Sequence, residues 1–294
     1  MTDSSNLVIR RNDTRQGRFE TVIDPRSRSD WHHTGLHVLE LDAGAAEEFS
    51  ADRLEVMVVP LNGSASVRIG EDTYDLRGRR DVFEGAADVL YAPVGSLLTI
   101  TSDDGARLAL ATAPVDPDKS AGHPIAVIRK EDIPLEVRGA GSMTRQVRNF
   151  GAVGSFDAMD KLIVVEVVTP GGNWSSYPAH KHDEETETES ELEEIYYFEI
   201  ADSPEGRPGF GLHHTTSARE DEELTIGEQV YRGDTVLVPH GWHGPCAAAP
   251  GYDMFYLNVM AGPGERAWNI TDHPDQAWVR GTWDDLEADP RLAG

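Results

Sequence analysis

Apolar residues in this chain come in short runs, each stopped by glycine, proline, asparagine or aspartate, and this punctuation limits what the chain can fold into. The runs at 54–61, 64–69, 89–92, 97–101 and 107–111 are rich in Val, Ile, Leu and Tyr. Those at 161–168, 194–200, 236–238 and 253–260 repeat the pattern. Strands of this length with frequent turn signals build an all-β sandwich or barrel. No long stretch has apolar positions recurring about every 3.6 residues, which sets aside a helical bundle. A βαβ nucleotide-binding fold is set aside on the same ground.

The segment 113–138 carries Pro114, Pro117, Pro124 and Pro134 and reads as a connection between two halves. Each half contains a hydrophobic strand that ends in Pro-X-Gly. The first is Asp88-Val89-Leu90-Tyr91-Ala92-Pro93-Val94-Gly95, and the second is Thr235-Val236-Leu237-Val238-Pro239-His240-Gly241. A turn is also expected after the first strand, at Leu61-Asn62-Gly63. The repeat suits a duplicated β-barrel, with one barrel over residues 1–138 and a second, with a C-terminal tail, over residues 139–294.

Charge narrows the function. Asp and Glu total 52 against 26 Lys and Arg, a formal charge of −26. No basic cluster is present to displace counterions from phosphates, so a nucleic-acid partner is not expected. An anionic membrane surface would repel the chain. The lysines are Lys119, Lys130, Lys161 and Lys181 alone, and an acidic, lysine-poor chain also suits a salty cytoplasm. Cys246 is the single cysteine, so no internal disulfide and no thiolate metal cluster can form. The N-terminal segment MTDSSNLVIRRNDTRQGRF lacks an apolar signal region, and no run reaches the length of a membrane span. A cytoplasmic enzyme or binding protein is the expectation.

Chemistry concentrates in the second half. In Pro178-Ala179-His180-Lys181-His182, strand alternation turns His180 and His182 the same way and Lys181 the opposite way. The acidic run 183–193 (DEETETESELE) follows and reads for the most part as a solvated loop. Glu194 then opens the strand Ile195-Tyr196-Tyr197-Phe198, with Glu191 and Glu193 as rival carboxylates, and His243 follows the Pro-X-Gly turn. Three neutral imidazoles and a carboxylate suit one divalent first-row metal ion, Zn or Mn by expectation, with Fe, Ni or Co as alternatives. The first half has no such set. No His-X-His precedes Glu55, Ser96 follows Gly95, and His32, His33 and His37 lie upstream without matching partners.

This order of His-X-His, Glu and Gly-X5-Pro-X-Gly-X-His resembles the cupin superfamily, although the spacer of eleven residues between His182 and Glu194 is long for it. The blocks Gly172-Asn173-Trp174-Ser175-Ser176-Tyr177-Pro178, Leu192–Phe198, Ala248-Ala249-Pro250-Gly251-Tyr252-Asp253 and Tyr256-Leu257-Asn258-Val259-Met260 are similar to the 5-deoxyglucuronate isomerase family. The resemblance implies a two-cupin fold and a place in myo-inositol breakdown. It implies conversion of 5-deoxy-D-glucuronate to 5-dehydro-2-deoxy-D-gluconate, an aldose–ketose isomerisation. A uronate ketol-isomerase of pectin breakdown, a non-catalytic sugar-binding cupin and a cupin dioxygenase are the alternatives.

An aldose–ketose isomerase must shuttle a proton between neighbouring carbons and stabilise an enediolate. Glu166, a charged residue amid valines, and Tyr196, which shares parity with Glu194, are the candidate catalytic groups. Tyr256 and Asn258 share one face of the last long strand and are candidates for substrate contacts. Arg145, Arg148 and Arg266 are the candidate anchors for the substrate carboxylate, whose shape matches a guanidinium fork. Sheets with exposed edges tend to pair, so a homo-oligomer is also expected.

Overall fold

The computed structural model describes residues 6–292, so the first five residues of the N-terminal segment and the last two of the C-terminal tail lie outside it. The strands form three sheets, and every pairing among the described residues is antiparallel. A nine-stranded sheet gathers strands between Phe19–Ile23 and Ala126–Ile128. A seven-stranded sheet runs in the order Val8–Ile9, Thr235–Val238, Glu193–Ile200, Met254–Ala261, Ile163–Thr169, Arg145–Gly151, Leu135–Arg138. A six-stranded sheet holds Thr225–Val230, Gly211–Thr216, Trp242–Ala248, His180–Lys181 and Thr271–Asp272, with Trp174–Ser175 paired to Trp242–Ala248.

Two expectations about strand ends are corrected. The runs at 54–61 and 64–69 are one strand, Leu54–Ile69, and Leu61-Asn62-Gly63 is a bend within it. The register shifts there, so that the first part pairs with Ala106–Pro114 and the last part with Asp72–Arg79 and Leu97–Ser102. Gly63 sits at φ 72°, and a Cβ there would lie 2.4 Å from the Gly105 carbonyl oxygen. Only glycine allows this bulge, which lets one strand serve two parts of a curved sheet. The proline-rich segment 113–138 is also partly ordered. Ala126–Ile128 pairs with Val89–Ala92, and Leu135–Arg138 pairs with Arg145–Gly151.

One hydrophobic cluster runs through both halves and includes Leu36, Met57 and Tyr91 beside Val147, Ile195, Phe198 and Leu257. Each such side chain contributes roughly 1.5–3 kcal/mol when fully buried. Carboxylates fasten the halves together. Glu55, in the strand Leu54–Ile69, accepts from the backbone N–H groups of Asp160 (2.9 Å), Lys161 (2.6 Å) and Leu162 (2.6 Å) and from the Tyr91 hydroxyl (3.0 Å). Glu193 accepts from the backbone of His32 (2.8 Å) and His33 (2.7 Å). Glu55 therefore ties the first half of the chain to the second.

Candidate metal centre and substrate cavity

The register of the second half brings four side chains to one point. His180 lies directly opposite His243 on neighbouring strands, and Glu194 lies opposite Val238, two residues before the turn that leads to His243. That turn requires Gly241, whose φ is 91° and whose Cβ, if present, would lie 2.4 Å from the Thr216 carbonyl oxygen. The Gly241 N–H donates to Asp183 Oδ2 at 2.7 Å, which ties the turn to the residue just after His182.

The three imidazoles pack edge to face, with centroids 4.5 Å apart for His180 and His243 and 4.7 Å for His182 and His243. One ring nitrogen from each lies within 4.8 Å of those of the other two. The opposite nitrogens face backbone carbonyls. His182 Nδ1 donates to Leu192 O (3.2 Å), His243 Nδ1 to Gly241 O (3.0 Å), and His180 Nδ1 lies 3.4 Å from Pro178 O. With Nδ1 protonated in this way, each Nε2 presents a lone pair. Glu194 Oε2 lies 3.0 Å from His182 Nε2 and 3.1 Å from His243 Nε2. His243 Nε2 is buried and makes no hydrogen bond at that approach. Lone pairs and a carboxylate converging in a buried place need a cation, so the donor set fits a divalent metal ion.

Most of the acidic run is exposed and without regular structure, as expected, but part of it is built into the site. Glu184 to Thr188 are exposed, whereas Glu189 and Ser190 are buried. Leu192 N–H donates to His182 O at 2.8 Å and closes the base of the excursion. Lys181, turned away from the imidazoles, places Nζ 2.7 Å from Asp183 Oδ1, 3.0 Å from Glu184 Oε2 and 2.7 Å from Glu189 Oε1. An ammonium thus already fills the carboxylate cluster next to the three imidazoles. Four cross-bonds of this kind let a long insertion sit between His182 and Glu194 without moving either.

A cavity of about 460 Å³ opens beside His180 and Glu194, a size that accepts a small ligand. Tyr196, Tyr256, Asn258 and Arg145 line it, as the alternation in their strands requires. Tyr196 and Tyr256 meet at the Ser176 hydroxyl, at 3.2 and 3.1 Å. Burial pushes both phenols above their ordinary range, so each is a neutral hydroxyl at pH 7. Ser176 sits at φ 47°, a conformation costly for a residue with a Cβ. Asn258 is buried, and its Nδ2 has no hydrogen-bond partner.

Arg145 is 6% exposed, yet no carboxylate lies within 4.0 Å of it among the described residues. Its Nη1 donates to Met143 O at 3.1 Å, and its guanidinium stands 5.4 Å from the Trp283 ring centre. Burial above all pulls its pKa down to about 10, which leaves it charged at neutral pH. Arg138 and Arg280 reach the same cavity but are neutralised by Glu136 and Asp272. Sequence reasoning missed these two and Ser176. Arg280 arrives from the 3-10 helix Ala277–Asp285 and Arg138 from an edge strand, and neither carries a local signal.

The remaining candidates lie elsewhere, and those expectations are corrected. Glu166 faces the opposite side of its strand from Val165 and Val167, and meets Arg79 of the first half (2.8 and 2.7 Å) and Arg148 (2.7 Å). Burial would raise its carboxyl, but the two guanidinium groups hold it below the usual range, which makes it a poor base. Arg148 is committed to that carboxylate. Arg266 donates to Leu162 O (2.7 Å) and Gly151 O (2.9 Å), away from the cavity lining. Cys246 is buried, 3.3 Å from His213 Nδ1.

An all-β chain whose barrel interior carries three imidazoles and a carboxylate falls in the cupin-like class. Solved structures agree on the fold. Oxalate decarboxylase from Lactobacillus farciminis aligns with a TM-score of 0.63 at 14% identity, over 92% of this chain and 90% of that one. An IolB-like protein from Salmonella typhimurium aligns with a TM-score of 0.83 at 33% identity, over 94% of this chain and 99% of that one. The chain belongs to the KduI/IolB family, whose pattern matches residues 7–279. The 5-deoxy-glucuronate isomerase of Geobacillus kaustophilus is 36% identical over 94% of this chain and 95% of its own. That of Bacillus subtilis is 36% identical over 86% of this chain and 90% of its own.

Proposed function

We propose that this chain is a metal-dependent aldose–ketose isomerase that converts 5-deoxy-D-glucuronate to 5-dehydro-2-deoxy-D-gluconate in myo-inositol breakdown. The observation that carries the reading is a buried, unpaired Arg145 in the same cavity as the three-imidazole, one-carboxylate centre. One end of such a cavity suits vicinal oxygens and the other a carboxylate, which are the two ends of a uronate. The names of the relatives favour 5-deoxy-glucuronate over a uronate from pectin. A sugar-binding protein without activity would not need two phenols and a serine hydroxyl in contact beside the metal centre.

His180, His182, His243 and Glu194 would hold the ion, and Zn or Mn suits that donor set. When bound, a divalent ion supplies Lewis-acid stabilisation of the enediolate that forms between C1 and C2. Arg145 anchors the carboxylate and so fixes which carbons face the imidazoles. Tyr196 stays protonated and donates to a reacting oxygen as negative charge develops there. Ser176 orients the Tyr196 hydroxyl and shares it with Tyr256. Asn258 Nδ2 donates to a substrate hydroxyl. With Glu166 locked between two arginines, the proton shuttle belongs to groups on the cavity wall.

We further propose a two-barrel layout, residues 1–138 and 139–294. Only the second barrel is metal-binding, and Val8–Ile9 and Leu135–Arg138 are lent to the second barrel's sheet. No helix among the described residues is long and apolar enough to cross a membrane. We place the protein in the cytoplasm as a homo-oligomer acting on a small sugar acid, without nucleic-acid or membrane partners. Proton NMR of 5-deoxy-glucuronate in D2O with the metal-loaded protein tests the function. The expected result is disappearance of the aldose C1 signal and growth of the ketose. Unchanged spectra with metal bound would rule the isomerase out.

A further inference from the structure

We infer that Lys181 and Asp183 are positioning residues that hold the imidazoles of His243 and His182 in place from outside the cavity, an inference that rests on the metal-dependent reading above. Neither residue lines the cavity. Two backbone carbonyls aim the imidazoles, and the acidic insertion grips the chain at both. His243 Nδ1 donates to Gly241 O at 3.0 Å. Gly241 sits at φ 91° with no side chain to brace it, so the direction of its carbonyl depends on what holds its backbone. Asp183 Oδ2 supplies that hold by accepting the Gly241 N–H at 2.7 Å. At the other end, His182 Nδ1 donates to Leu192 O at 3.2 Å, and the Leu192 N–H returns to His182 O at 2.8 Å. Leu192 is where the chain comes back from the insertion to the strand that carries Glu194.

Lys181 joins the two ends of the insertion. Its ammonium meets Asp183 Oδ1 (2.7 Å) and Glu189 Oε1 (2.7 Å), and Glu189 Oε1 also accepts the Asp183 N–H (3.0 Å). The ammonium stands 5.8 Å from the ring centre of Trp242, the residue between Gly241 and His243. These groups are not a solvated charge cluster, since the side chains of Lys181, Asp183 and Glu189 are 10%, 3% and 4% exposed. Exposed pairs contribute little, whereas a buried and fully bonded network fixes one arrangement. Lys181 lies between the two histidines in sequence and points the other way, so the same three residues present two imidazoles on one face and their anchor on the opposite one. Partners that orient ligand imidazoles in this manner are worth about 10–100-fold in metal affinity.

The test is the Kd for Mn and for Zn, by titration calorimetry of chelator-stripped protein, with His243→Ala as the background and a thermal melt of each stripped variant as the folding control. Asp183→Ala frees Gly241 and is expected to weaken binding of the ion by about 10–100-fold. Asp183→Asn removes the same charge but keeps an oxygen for the Gly241 N–H, and is expected to recover most of that loss. Lys181→Met removes a positive charge, which by electrostatics alone would tighten binding of a cation. Positioning predicts the opposite sign, a loss of about tenfold or more. Glu187→Ala, in the exposed part of the insertion, is expected to bind as the wild type does. A wild-type Kd in Asp183→Ala, equal weakening in Asp183→Ala and Asp183→Asn, or tighter binding in Lys181→Met overturns this inference alone. No ion bound by the wild type overturns the metal-dependent reading and this inference with it.

Discussion

Replacing Glu166 by glutamine separates a structural carboxylate from a catalytic one. The side chain joins Arg79 of the first half to Arg148 of the second by three bonds of 2.7–2.8 Å, with all three groups buried. Glu166→Gln removes the only negative charge that faces these two guanidinium groups among the described residues. Breaking a buried pair from one side costs about 3–5 kcal/mol, because a buried charge is left uncompensated. Unfolding entropy of about 2.1 cal/mol/K per residue gives about 0.6 kcal/mol/K for a chain of 294 residues. The melting temperature should therefore fall by about 5–8 °C in scanning calorimetry if both halves unfold together. At 25 °C the folded variant should keep kcat within about threefold of wild type, less than 1 kcal/mol of barrier. Replacing Arg79, Arg148 and Glu166 together by Met should recover much of the lost stability. An unchanged melting temperature with kcat down by about 10² or more, as for a lost general base, would refute the structural role.

Two further outcomes follow from buried cationic and titratable groups. Arg145→Met should raise KM by about 30-fold or more with a smaller change in kcat, since truncating a buried charged partner costs about 2 kcal/mol or more. Its melting temperature should hold or rise, because a buried cation without a carboxylate is removed, and steady-state kinetics with a thermal melt checks both. His37 is buried among Phe19 and Phe49, and burial pulls its pKa down to about 4. The unfolded chain binds that proton near pH 6.5 and the folded chain does not, so stability is full above pH 6.5 and falls as pH drops towards 4. The loss approaches about 3 kcal/mol, and urea midpoints should show a shallower acid decline in His37→Leu.

The residues explain how much could be read before the structure. The candidate metal donors were legible as a group because each sits in a local pattern: alternation places His180 with His182, a strand start marks Glu194, and a glycine turn precedes His243. Tyr196, Tyr256 and Asn258 followed from the same alternation. Glu166 obeys alternation too, but the pattern cannot say that its side of the strand faces Arg79 of the other half rather than solvent or cavity. The turn expected at Gly63 is a bulge for a similar reason, since a glycine at positive φ serves either. Ser176 carries no mark of its φ, and Arg280 reaches the cavity only through the packing of a C-terminal 3-10 helix. Long-range placement, not residue type, is what these cases lacked.

The most direct measurement is a metal titration of chelator-stripped protein, following isomerisation of 5-deoxy-glucuronate against bound Mn or Zn. If His180, His182, His243 and Glu194 hold the ion on which the reaction depends, turnover rises in proportion to occupancy and levels off at one ion per chain. His243→Ala should neither bind the ion at that stoichiometry nor recover. Full turnover by the stripped protein, with no metal detected by elemental analysis, would contradict it.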